Sequence, residues 1–384
     1  MRITEKLLAV SLLALFAGCT TLSELNPFSA KESKNQPAAL PQFKTSLMAH
    51  AIWTSQIGKA GVYAFTPALA ENSLFVAAAD GALARIDAVT GRDLWRIKTG
   101  LDLSAGVGSD GAFVAVGAAK GVLLVYDGAG KALWRAQASS EILSVPVVGQ
   151  GLVVMRSVDN RITAFDARSG VQKWSVLRTL PALTLRNAPG LVISGANVIV
   201  AQAGGKLLAL TLASGLPRWE AVLGEPRGAT ELERVTDIAN TPVLFEKDVC
   251  AVSYQGRVGC YDAASGAARW SKELSSSVGV AVDQRFVFTA DEKGAVAAFS
   301  REGGQSAWKN DKLAYRGLSS PLSYGRAVVV GDYQGFIHFL SREDGAFIGR
   351  VSTDGSPIIS VPVIAGTNLI FQSQSGTVTA LAVE

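Results

Sequence analysis

Few side chains in this sequence have the chemistry of a catalyst. There are two histidines, His50 and His338, and three cysteines, Cys19, Cys250 and Cys260. Acid–base catalysis near neutral pH most often uses histidine, and nucleophilic catalysis needs a base beside a hydroxyl or thiol. His50 stands at the edge of an N-terminal strand-like stretch. His338 alternates within "GFIHFL", the pattern of a strand residue satisfied by its neighbours. The spacing proposes no Ser–His–Asp arrangement. "GVGSDG", residues 106–111, fits the dinucleotide glycine pattern. A phosphate cradle needs a helix after the glycines, and the residues that follow read as turn and strand. No acids cluster with the spacing of a calcium loop. Cys250 and Cys260 flank the turn "YQG". A hairpin centred on Gln255 sets them directly opposite, and a two-residue Gln255-Gly256 loop sets them one register apart, so spacing leaves a disulfide open.

The third cysteine belongs to a different segment. Arg2 and Lys6 precede the apolar run "LLAVSLLALFAG", which ends in "LFAGC" at Cys19. The run is too short to span a membrane comfortably and has the layout of a secretory signal. "LFAGC" resembles the lipobox of bacterial lipoproteins. That resemblance implies a signal peptide over 1–18, cleavage before Cys19 and lipid modification of Cys19. Thr20, rather than Asp, in the next position implies the outer membrane. Residues 19–47 are polar, with three prolines after Cys19 and no sustained apolar period, and read as the lipidated Cys and a flexible tether.

The elements that must carry any site are set by a repeat over 48–384. All seven tryptophans, Trp53, Trp95, Trp134, Trp174, Trp219, Trp270 and Trp308, keep a spacing of about 42 residues, and glycine stands four residues before six of them. Gly349 continues the series in place of an eighth Trp, with Gly345 keeping the turn. Each unit divides into four short apolar stretches separated by Gly, Asn, Asp and Ser, the pattern of strands and tight hairpins. Four strands per 42 residues predict the blades of a β-propeller. The last unit has three strands, and the stretch "AIWTSQIG" with Trp53 supplies the fourth. The expected fold is an all-β, eight-bladed propeller of four-stranded antiparallel blades, closed by the N-terminal strand and leaving no free edge between the termini. Each Trp is expected to cover a junction between blades.

Two links break the rhythm. The intervals from Trp174 to Trp219 and from Trp219 to Trp270 are long, and the excess falls in "LRTLPALTLRNAP" and "GEPRGATELERVTDIANTP". Both join the fourth strand of one blade to the first of the next, so they leave from one face, side by side. Leu183, Leu185 and Arg186 in the first, and Glu231, Glu233 and Asp237 in the second, suit a protein interface. The formal charge of +4 is not gathered into basic runs, which argues against nucleic acid as a partner.

The motif A-x-D-x-x-[ST]-G-x-x-x-W, complete in "AFDARSGVQKW", resembles the docking motif of quinoproteins that bind pyrroloquinoline quinone. The motif builds blades rather than holding the cofactor, and the vicinal Cys pair of many such enzymes is missing. A periplasmic quinoprotein-like enzyme is therefore the alternative reading. The lipobox, the eight blades and the motifs "LTLRN" and "ERVTDIANTP" together resemble the BamB lipoprotein family of the outer-membrane β-barrel assembly machinery. The resemblance implies a non-enzymatic scaffold without cofactor or metal. It would bind the POTRA domains of BamA and assist unfolded outer-membrane protein precursors. It assigns BamA contacts to Leu183, Leu185, Arg186 and Asp237. A second acid expected two residues after Asp237 is replaced by Ala239, which weakens the electrostatic part of the contact or shifts it to Glu233 or Arg234.

Overall fold

The computed structural model describes residues 35–384. The signal peptide over 1–18, Cys19 and the first part of the tether lie outside the described residues. Residues 38–384 form one compact unit, built from eight four-stranded antiparallel sheets. Blade 1 runs from strand Ala68–Ala70 to Asp93–Lys98, blade 2 from Leu103–Ser109 to Ala132–Gln137, and blade 3 from Val147–Gly149 to Gln172–Leu177. Blade 4 runs from Leu191–Ser194 to Pro217–Val222, and blade 5 from Ile238–Phe245 to Ala268–Glu273. Blade 6 runs from Val280–Val282 to Ser306–Asn310, and blade 7 from Leu322–Tyr324 to Phe347–Ser352. Blade 8 joins Val363–Ala365, Asn368–Gln372 and Thr377–Val383 to the N-terminal strand Ala49–Gln56. Its closing pair runs from Ala49 opposite Val383 to Gln56 opposite Thr377, with a bulge between Ala51 and Trp53.

The apolar core is divided into eight clusters, one per junction. Between blades 3 and 4, for example, Val154, Ile162 and Ala164 meet Val198, Val200 and Leu208. The strands that pack on both sides therefore read as largely continuous apolar runs rather than alternating ones, with a few buried polar residues such as Thr163 and His338.

The repeated motif explains how neighbours dock. Trp174 of blade 3 donates its indole N–H to the Leu212 carbonyl of blade 4 at 2.8 Å. Its ring lies over Gly215, where a Cβ would sit 2.7 Å from the indole carbons; Gly215 also has φ +71°. Only glycine satisfies both demands. The same indole-to-carbonyl bond recurs from Trp53, Trp95, Trp134, Trp219, Trp270 and Trp308 to the following blade. So in "AFDARSGVQKW" the glycine and the Trp serve different junctions. Gly170 receives Trp134, and Trp174 docks forward on Gly215. Asp166 shapes the turn by accepting from the amides of Arg168 and Ser169 and from the Ser169 hydroxyl.

The eighth junction lacks this device because the two chain ends meet there and no glycine turn exists to dock on. Gly349 leaves room for the incoming chain: a Cβ there would lie 2.8 Å from the Leu47 carbonyl oxygen. Leu47 itself is buried in the cluster between blades 7 and 8. The amides of Ser46 and Leu47 both donate to the Ile348 carbonyl, at 2.9 and 3.0 Å. Phe43 stacks on Phe347 at 5.5 Å. The reading of a flexible tether up to residue 47 is thereby corrected. Residues 38–47 belong to the propeller, held by Phe43 and Leu47.

Cys250 and Cys260 form a disulfide. They face each other across the strands Asp248–Ser253 and Arg257–Asp262, with the hairpin centred on Gln255 at φ 45°. "GVGSDG" is strand and turn, and Gly108 lies so close to the Pro146 carbonyl that no side chain fits.

Candidate partner-binding surface

The links 178–190 and 223–237 lie side by side on one face of the ring and are joined by Asp237. One carboxylate oxygen accepts from the Leu185 amide at 2.5 Å, and the other accepts from the Gly204 amide, in the inner turn of blade 4, at 2.9 Å. Asn187 adds a bond to the Ile238 carbonyl, and Gly190 one to the Asn240 carbonyl. Asp237 is 1% exposed. Burial raises its pKa above the ordinary carboxylate value, opposed by the two amides and by the charge of Arg156. Arg156 is itself buried beneath the link, bonded through Nε to Asn160 Oδ1 at 3.0 Å, and burial lowers its pKa to about 10. The carboxylate read from sequence as a surface contact therefore faces inward, as the fixture on which the first link rests.

Above that fixture the link presents Leu183, 47% exposed, with Leu180 beside it and Leu185 half-buried. Arg186 reaches outward and makes a forked pair with both oxygens of Glu141, each at 2.8 Å. Glu141 and the Tyr63 hydroxyl together raise the Arg186 pKa, so its charge is permanent. The second link contributes Leu232, 71% exposed. Three of its charges are engaged within the link. Glu233 accepts from the amides of Ala229 and Thr230, and Arg234 donates to the Gly228 carbonyl and pairs with Glu231. Ala239 is buried in the core between blades 5 and 6, where no acid could face outward. The surface is thus an apolar group with Arg186 fixed at its rim. Sequence reasoning missed Glu141 and Tyr63, which lie in links of ordinary length, and Leu180 and Leu232, whose exposure only the folded links reveal.

A family model described as outer membrane protein assembly factor BamB matches residues 79–310. The outer membrane protein assembly factor BamB of Burkholderia pseudomallei is 44% identical, with 95% of this chain and 94% of the relative covered. That of Bordetella pertussis is 39% identical, with 94% of each covered. Among solved structures, BamB from Moraxella catarrhalis superposes with a TM-score of 0.80 at 25% identity, over 87% of this chain and all of the other. The quinohemoprotein alcohol dehydrogenase of Comamonas testosteroni shares the fold, with a TM-score of 0.67 at 13% identity over 87% of this chain and 76% of the enzyme. The chain belongs to the BamB family.

Proposed function

We propose that the chain is a non-enzymatic scaffold of the outer-membrane β-barrel assembly machinery, lipid-anchored through Cys19 with its propeller in the periplasm. We assign its grip on the POTRA domains of BamA to the 178–190 link. The observation that carries this reading is Leu183 exposed beside Arg186 on a link pinned from below by a buried carboxylate. An apolar anchor held in place before binding loses little entropy on docking, and a fixed rim charge orients the partner. Leu183 supplies the anchor and Leu185 the shoulder beneath it. Arg186, steadied by Glu141, offers its remaining N–H groups to a partner carboxylate or carbonyl. Asp237 acts through the loop and does not touch the partner. Holding the POTRA domains in place would assist the folding and insertion of unfolded barrel precursors.

The test is recovery of BamA from solubilised outer membranes. Leu183→Ala, Leu185→Ala and Arg186→Ala should each cut recovery at least tenfold while the melting temperature holds, because truncating an anchor costs about 2 kcal/mol or more. Undiminished recovery with all three would refute the assignment. Stoichiometric pyrroloquinoline quinone and calcium in the purified chain would refute the scaffold reading itself.

A further inference from the structure

Among the described residues, a buried cluster of titratable side chains outside the partner surface lies in blade 7 and grips residues 38–47. Arg350 donates through Nε to His338 Nδ1 at 3.2 Å and through Nη2 to the Pro41 carbonyl at 3.1 Å. Its guanidinium also lies over the Phe43 ring at 5.0 Å. Arginine has no acceptor, so His338 Nδ1 must be unprotonated, and its Nε2–H donates to Asp332 Oδ2 at 2.9 Å. The same oxygen accepts from Arg316 at 2.8 Å, and Arg316 donates through Nη1 to the Ala38 carbonyl at 3.0 Å. One carboxylate and one neutral imidazole thus hold two arginines, and each arginine holds a carbonyl of the N-terminal segment.

The imidazole is fully buried. The charged groups that face it are Asp332 at the end of the second strand, Arg350 on the fourth, and Arg316 from the link entering the blade. Phe336 and Phe347 close the remaining sides. A proton on Nδ1 would set N–H against N–H and bring a third cation to a single carboxylate. The least costly relief is rotation of Arg350 away from the ring, which releases Pro41 and uncovers Phe43. Ala38 stays on Arg316 and on the Ala314 carbonyl, and Leu47 is held in the apolar core and on the Ile348 carbonyl.

We propose that residues 39–45 are a proton-released strap between fixed ends at Ala38 and Leu47, latched on blade 7 while His338 is neutral and freed when it is protonated. The freed strap opens as a loop and exposes Phe43. In the latched state burial, first, and then the two arginines lower the His338 pKa, and Asp332 opposes them. The latch is therefore complete above the ordinary histidine value of about 6.5 and weakens as pH falls below it.

Backbone order parameters of the 39–45 amides in the full chain read the latch. They should fall from about 0.85 to below about 0.6 between pH 7.5 and pH 5, while those of Val329 and Phe339 in the same blade stay high. His338→Gln should make the strap insensitive to pH, and Arg350→Ala should free it at both pH values. Order parameters unchanged by pH, strap and blade loosening together, or a strap still rigid in Arg350→Ala would each overturn the proposal.

Discussion

Asp237 illustrates what a residue type reveals and what it hides. An acid in an overlong link reads as a surface contact, and only the fold turns it inward, where its two oxygens serve two amides. Asp237→Asn keeps the shape but presents an NH2 group to an N–H donor. One buried amide loses its acceptor, at about 1–3 kcal/mol. The expected result is faster hydrogen exchange at the Leu185 amide and weaker BamA binding. Combining Asp237→Asn with Leu183→Ala should lose less than the sum of the two, because both act on one anchor. Strictly additive losses would mean that Asp237 contributes independently of the loop. Arg186 was legible as a surface cation. Its partner Glu141 was not, because it lies in a link of ordinary length, and sequence spacing says little about which links meet in space.

At the scale of the element, the blades were almost fully legible, because each demand of the docking is met by a residue type with few substitutes. The turn glycine must hold a positive φ and lie under an indole. Gly215→Ala meets both objections at once, and Trp174→Ala leaves a cavity worth about 3–5 kcal/mol. The segment 38–47 was misread because its composition is that of a linker, and the pairing of Phe43 with Phe347 and of Leu47 with the room beside Gly349 is nonlocal. The disulfide was undecided because one residue of hairpin register separates facing from non-facing cysteines. The purified chain should gain two hydrogen masses on reduction. Closing a loop of about ten residues is worth roughly 2–3 kcal/mol, so reduction should lower the melting temperature by a few degrees. An unchanged mass would remove the bond.

The whole molecule has no single centre. Its apolar core is eight separate junctions, and each blade is held by its two neighbours, so stability depends on the ring being closed. In an open array the end blades lose one junction each, and a bare strand is left at the edge. Here the edge would be Thr377–Val383, which the N-terminal strand covers from Ala49 to Gln56. The two chain ends are thus joined by a sheet, and by the Leu47 plug beside it, rather than by a covalent turn. A chain beginning at Ile57 would lose the closing strand, the plug and the Trp53 contact with blade 1 together. We expect it to unfold in more than one step and to self-associate through the bare edge, whereas a chain beginning at Ala38 should melt as the longer one does. Differential scanning calorimetry with light scattering separates the two. A single unshifted transition for the Ile57 chain would mean that seven complete blades suffice, and that the N-terminal strand serves to place the anchor rather than to close the ring.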